Sequence, residues 1–532
     1  MSRKLKFGEP SADNSAVIYF VSFFSGLLLS FAFPGRDIPL VAWIAVAPFI
    51  YYSAESSPRT SFRAGLAFGI PFFFGTQYWI YYSINHYGNM HLIFSLAIIL
   101  LLCIYESLYI GIFAVLASYL SRRTYFPMLL IAPSIWVCME FIRGFMFTGF
   151  PWSLVGYTQY GSLPLIQISD ITGVYGVSFL VVAVNAAIAD VLLLRKKRKL
   201  TPLYPTIPVY IGISTLAILL VASLIYGNIR LKETQSTNSI KVAIVQGNID
   251  QNKKWEKAYQ SSVFSTYIEL TKKVSREGPD LIVWPETSVP FIFGSDKEFT
   301  SRLQDFQQSN RIPLLFGSIL VRSKDDKGYK LTNSAVLLDK NANIAYRYDK
   351  VHLVPFGEYV PLGRILFFVE RLAEGIGAYV PGTELRSAET SFGTFSTAIC
   401  YELIFPSLVR NFFQSGGDIL ITITNDAWFG NTIGPVQHFY TSVFRAVENR
   451  KPVIRAANTG ISGYIDSRGM VVKKTDLFKS DAIVVDLIKN DKKTFYTKYG
   501  DIFIYICLLT VTIILINQIF HKKNPTGGKQ WQ

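Results

Sequence analysis

Long apolar stretches alternate with short polar ones over the first 227 residues of the chain, and one more follows near its end. The runs fall at about 16–34, 38–54, 64–82, 92–120, 126–142, 172–194, 207–227 and 501–520. A helix needs roughly 20 residues to cross a hydrocarbon core. Each run therefore predicts a transmembrane helix, the second short and the fourth long enough to tilt.

Between residues 240 and 490 the pattern changes. Short runs rich in Val, Ile and Leu read as strands: "KVAIVQGNI", "DLIVWPE", "PLLFGSILV", "NSAVLLD", "FSTAICYE", "DILITITND", "PVIRAAN" and "AIVVDLI". Helical periodicity separates some of them, at 256–275, 298–308 and 435–449. Nearly continuous apolar strands predict sheets covered on both faces. The expected organisation is a membrane domain at 1–227, a linker at 228–239 and a soluble α/β domain at 240–490. A last transmembrane helix and tail occupy 491–532.

Composition agrees with that division. Of 532 residues half are hydrophobic and only 17% charged, and the mean hydropathy is +0.30. The formal charge of +15 suggests nucleic acid or membrane, and the placement of the charges decides. Arg3, Lys4, Lys6, Arg59, Arg63, Arg122, Arg123, the run 195–199, Lys522, Lys523 and Lys529 all flank the runs on one side. The other short loops hold Arg36 and Arg143. Positive charge stays in the cytoplasm, so both termini are expected there and residues 228–500 on the outer face. The basic balance is then topology, and nucleic acid is not an expected partner.

Four cysteines are present, and Cys103, Cys138 and Cys507 lie in apolar runs. Cys400 alone falls in the soluble stretch, at the end of a strand-like run and two residues before Glu402. A lone cysteine is commonly just a small buried hydrophobe. On an oxidising outer face, however, an unpaired thiol is either inert or kept for its reactivity. A reactive thiol needs a base and a cation. "IVWPETSVP" ends a strand with Glu286 and "YRYDKVHLVPFGEYVP" ends one with Lys350. Singly each is an ordinary strand-end charge; in the order Glu, Lys, Cys they form a constellation.

That order, with "WPE", "DKVHLVPFGE" and "CYE", resembles the carbon–nitrogen hydrolase (nitrilase) superfamily. "GFPWSLVGYTQ" at 149–159, "GVYGVSFL" at 173–180, "VQGNIDQNKKW" at 245–255 and "TNDAWFG" at 424–430 are similar to its membrane-embedded apolipoprotein N-acyltransferase branch. The resemblance implies a nitrilase-like αββα sandwich inserted in a polytopic membrane domain of eight helices. It implies acyl transfer from a membrane phospholipid, through a cysteine thioester, to the N-terminal amine of a diacylated apolipoprotein. The setting implied is the bacterial inner membrane, with the catalytic domain periplasmic.

Carried over by motif, Cys400 is the nucleophile, Glu286 the general base and Lys350 the oxyanion stabiliser. Glu358 is expected to orient Lys350 or hold water, with Tyr401 and Glu402 supporting the nucleophile. Trp255 and Trp428 are expected at the substrate groove, and Asn425 at the loop beside the site. Two apolar segments, 361–382 and "VPFIFG" at 289–294, are read as elements that dip into the bilayer. Neither a metal nor a cofactor is expected; His352 and His438 have no partner at ligand spacing, and the chain is read as a monomer. Two other readings compete: a membrane-tethered amidase that transfers acyl groups to water, and a transporter or receptor with a catalytically dead domain, for which Glu106, Glu140 and Asp190 are the charged residues inside the spans.

Overall fold

The computed structural model describes residues 12–124, 126–197, 206–233, 239–326, 328–360 and 379–523. The chain divides into two compact units. The first comprises Met1–Asn85, Met90–Asn228 and Asp501–Gln532, the second His86–Asn89 and Ile229–Gly500.

The first unit is helical. Ala12–Ser30, Pro58–Gln77, Leu92–Ser121, Met128–Arg143, Val174–Lys197, Thr206–Leu231 and Ile502–Lys523 follow the predicted runs. The run at 38–54 is instead broken into Pro39–Val41, Ala42–Ala45 and Ala47–Glu55, two of them opened by a proline in the first turn. Among the described residues three helices are long and apolar enough to cross a membrane: Leu92–Ser121, Val174–Lys196 and Thr206–Leu231. Ser15–Ser30 and Ile502–Gln518 are shorter apolar helices. Where Pro58–Gln77 crosses Leu92–Ser121 the backbones nearly touch. A Cβ on Gly65 would lie 2.6 Å from the Gly111 Cα, the close approach that small residues allow between membrane helices.

Polar groups inside this unit are engaged in holding helix ends and loops. Asp190 accepts from the Met128 and Leu129 amides, each at 2.9 Å, and Asn185 from those of Val46 and Ala47 at 2.9 Å. Helix N-termini carry orphan N–H groups, which hydrocarbon cannot satisfy. Arg143 pairs with Glu106 at 2.7 Å and donates to the Phe150 carbonyl at 2.9 Å. Glu140 accepts from the Val155 amide at 2.7 Å and from Trp136 at 3.0 Å. The "GFPWSLV" loop is thereby pinned at both ends by buried charged residues. The three acidic residues that invited a transport reading each have such a structural engagement.

The second unit contains two six-stranded mixed sheets. One orders β12-β1-β2-β3-β4-β5, with β1 Ser239–Gln246, β2 Leu281–Val283, β3 Leu314–Asp325, β4 Gly328–Leu338, β5 Ile344–Asp349 and β12 Asp481–Ile488. The other orders β11-β10-β9-β8-β7-β6, with β6 Ser387–Thr390, β7 Gly393–Ile399, β8 Ile419–Thr424, β9 Val453–Ala457, β10 Gly463–Ile465 and β11 Val471–Lys474. In each sheet three central strands are parallel and the flanking ones antiparallel. β1 packs against β9; Lys257–Ser275 covers β1 and β12, and Gly434–Asn449 covers β9 and β10. The inner strands β2, β8 and β9 are buried along their whole length, as their unbroken apolar sequences require.

The first sheet's core corrects one expectation. Val289, Phe291 and Phe293 of "VPFIFG" are buried with Trp284, Phe316 and Tyr267. Phe291 stacks on Phe299 at 5.3 Å and Phe293 meets Phe316 edge-on at 5.2 Å. Each such aromatic ring gains about 1.5–3 kcal/mol by burial, so this segment is core and not a membrane-dipping element. The second unit also extends to Gly500, because helix Phe495–Tyr499 docks on the sheet-covering helices. Thr494 donates to the Glu448 carbonyl at 2.7 Å, and Gln414 to that of Thr497 at 3.0 Å.

Candidate active site

Glu286, Lys350, Cys400 and Asn425 all stand within three residues of the C-terminal end of a strand, β2, β5, β7 and β8 respectively. Open α/β sheets present ligands at such carboxyl ends. Three non-glycine residues here adopt left-handed backbone: Thr287 (φ 45°), Phe356 (φ 61°) and Cys400 (φ 52°). Each costs on the order of 1–3 kcal/mol and persists only where surroundings impose it. Gly317 on β3 is one such constraint. A Cβ there would lie 2.4 Å from the Thr287 nitrogen and 2.5 Å from the Glu286 Cα, so glycine is what lets the Glu286 turn lie flat on the sheet.

Lys350 is 1% exposed and sits between two carboxylates. Its Nζ is 2.9 Å from Glu358 Oε2 and 4.0 Å from Glu286 Oε1. Burial disfavours the ammonium, but Glu358 and Glu286 outweigh it and hold the Lys350 pKa above its ordinary value. Glu286 is buried, which raises its pKa, while Lys350 pulls the other way. Each of its oxygens takes one donor: Asn333 Nδ2 at 2.7 Å and the Asn425 amide at 2.9 Å. Asn333 also donates to Glu358 at 2.9 Å, so one amide bridges both acids. A carboxylate with free lone pairs and a raised pKa suits proton abstraction.

Cys400 is buried, and burial together with Glu286 pushes its thiol well above the ordinary range, Lys350 opposing. At rest it is a neutral thiol, and its activation requires a base. Glu402 does not face it as a second base. Its Oε1 accepts from Tyr348 at 2.7 Å, the Val351 amide at 2.8 Å and the His352 amide at 3.1 Å, while Oε2 takes the Ile399 amide at 2.8 Å. Glu402 therefore ties the strand end before Cys400 to the loop that carries Lys350. Tyr401 is the second residue of the short helical turn that Cys400 opens, and it packs edge-on against Phe405 at 5.0 Å. Burial and then Lys350 push His352 down to about 4, so this ring is neutral at physiological pH.

Trp255 and Trp428 are 37% and 40% exposed, too open for core tryptophans. Trp428 meets Tyr87 edge-on at 4.8 Å. Asn425 uses its side chain to hold Gln251 at 2.6 Å and to accept from Asn458 at 3.1 Å. Gln251 lies in the turn that ends at Trp255, so base, asparagine and tryptophan share one linkage. Of the segment read as a bilayer element, 361–378 lies outside the described residues; beyond it, the Gly382 amide donates to the Lys350 carbonyl at 2.8 Å.

Sequence reasoning did not single out Asn333 or Lys254. Asn333 was marked only by being an amide inside the apolar strand "LTNSAVLL". Lys254 is fully buried, donating to Thr287 Oγ1 at 2.6 Å and the Glu286 carbonyl at 3.3 Å. Burial pushes its pKa down to about 7, with Glu286 pulling it up.

The family profile for carbon-nitrogen hydrolase matches residues 241–492, so the second unit is a carbon–nitrogen hydrolase domain. The profile for the apolipoprotein N-acyltransferase N-terminal domain matches residues 25–187. An apolipoprotein N-acyltransferase of Geobacter metallireducens is 39% identical over 497 residues, covering 93% of this chain and 94% of that protein. Another from Haemophilus ducreyi is 32% identical over 512 residues, covering 95% and 97%. The chain belongs to the apolipoprotein N-acyltransferase family.

Proposed function

We propose that this enzyme moves an acyl chain from a membrane phospholipid to the N-terminal amine of a diacylglyceryl-cysteine on an apolipoprotein. The observation that carries the reading is Lys350 held between Glu286 and Glu358 beside a buried Cys400 on a left-handed turn. Glu286 takes the thiol proton as sulfur attacks the ester carbonyl, and Lys350 with the Tyr401 amide supports the tetrahedral oxyanion. Collapse expels the lysophospholipid alkoxide, which leaves with the proton from Glu286. The acceptor amine then attacks the thioester, Glu286 removes its proton, and the thiol is regenerated as the amide departs. Trp255 and Trp428 supply exposed aromatic surface for the lipid substrates, and Asn425 keeps Glu286 in place.

Purified enzyme given labelled phospholipid and a diacylated lipopeptide is expected to yield acyl-amide. Free fatty acid as the sole product would support an amidase-like hydrolase, and no turnover would support neither. The setting we propose is the inner membrane, with a monomer of eight spanning segments, both termini cytoplasmic and residues 228–500 outside. Cysteines introduced within 228–500 are expected to react with an impermeant maleimide on intact cells, and those at 196–199 only after lysis. External labelling at 196–199 would overturn this topology.

A further inference from the structure

Behind Cys400, on residues the reaction above leaves unused, lies a buried polar cluster. Asp426 follows β8, Arg455 lies in β9, and His438 projects from the helix Gly434–Asn449; all three are fully buried. Arg455 Nη2 is 2.7 Å from Asp426 Oδ2 and 3.0 Å from His438 Nδ1, and His438 Nδ1 is 2.9 Å from Asp426 Oδ1. Thr424 donates to Asp426 Oδ1 at 2.9 Å, and Arg455 Nε to the Ile461 carbonyl at 3.2 Å. The remaining ring atom, His438 Nε2, points at the Cys400 carbonyl oxygen at 3.2 Å.

A carbonyl oxygen only accepts, so Nε2 carries a proton. Nδ1 touches both a donor and an acceptor, so it is satisfied whether or not it is protonated, and the Nε2–H bond holds in either state. The Cys400 carbonyl belongs to the same planar trans peptide as the Tyr401 N–H. A donor fixed at the carbonyl edge of that plane therefore helps set the direction of the N–H at the opposite edge. The opposite flank of Cys400 is already tied, through the Ile399 amide on Glu402 at 2.8 Å. His438 closes the second flank of a residue whose backbone is left-handed.

We propose that His438 is a positioning residue that aims the Tyr401 amide at the oxyanion, with Asp426 and Arg455 locking the ring. This rests on the acyl-transfer reading of the site. Acylation passes through an oxyanion, whereas alkylation of the same sulfur by iodoacetamide does not, and that difference separates aiming from mere scaffolding.

The experiment compares wild type, His438→Ala and His438→Gln, measuring acylation of Cys400 by a short p-nitrophenyl ester and its alkylation by iodoacetamide. In His438→Ala, acylation is expected to fall about 100-fold, the effect of losing one oxyanion donor, with alkylation within about threefold of wild type. His438→Gln, which retains an N–H donor, is expected to recover part of the acylation. Acylation at the wild-type rate in His438→Ala, or acylation and alkylation lost in equal proportion in both variants, would overturn the proposal. Wild-type Cys400 that alkylates but never acylates would instead sink the acyl-transfer reading, and this assignment with it.

Discussion

Replacing Cys400 with alanine is expected to abolish acyl transfer while leaving the protein folded and in the membrane. The side chain loses one buried sulfur, a change worth about 1 kcal/mol of stability, and alanine meets the same backbone strain at φ 52°. The loss of activity is far larger, on the order of 10⁴-fold or more, as for other covalent nucleophiles. Cys400→Ser is expected to stay near that floor. Burial has already raised the pKa of the Cys400 thiol, and a hydroxyl is a weaker acid still. Turnover of labelled phospholipid, read beside a thermal melt, checks both variants. Wild-type turnover in Cys400→Ala would remove the cysteine from the mechanism.

The second large effect is expected at Lys350, in stability as well as rate. Lys350→Met leaves the buried Glu286 and the partly exposed Glu358 without their shared cation. Breaking a buried charge cluster from one side costs about 3–5 kcal/mol. Because the Lys350 pKa stands above its ordinary value, its charge contributes fully below that ordinary value. The contribution is lost only as pH rises through the folded value, so wild type keeps it across neutrality. In Lys350→Met the penalty instead shrinks as pH falls, because one carboxyl takes up a proton. Adding Glu358→Gln is expected to restore most of the melting temperature but no activity, since the oxyanion still lacks its cation. Lys350→Arg is expected to fail as well, because a planar guanidinium fork does not reproduce the single compact ammonium held between Glu358 and Glu286. A single variant as stable as wild type at pH 8 would contradict this account of the cluster.

The strands and the Glu–Lys–Cys order were legible because Glu286 and Cys400 end short apolar runs and Lys350 directly follows the polar strand end "YRYD", just before "VHLVPFGEYVP". Their partners were not, because they come from remote segments. Asn333 lies inside a strand, and Lys254 precedes an exposed tryptophan as any surface lysine would. Arg455 was a second available signal, a charge in the middle of the buried strand "PVIRAAN". The role of Glu402 was not legible, since its four donors belong to β5, the loop after it and the end of β7. β6, β10 and β11 escaped because three or four residues carry too little periodicity. In the membrane unit hydropathy found the apolar runs but not their breaks, which Pro39 and Pro48 impose on the second. "VPFIFG" misled in the same way, because an apolar run reads alike whether it meets lipid or a core.

The central claim is a covalent acyl-enzyme on Cys400, and intact mass after incubation with phospholipid alone tests it most directly. One added acyl mass is expected, absent in Cys400→Ala, released by hydroxylamine and formed more slowly in Glu286→Gln. An enzyme that turns over with both substrates present, yet never gains that mass from phospholipid alone, would contradict the thioester route.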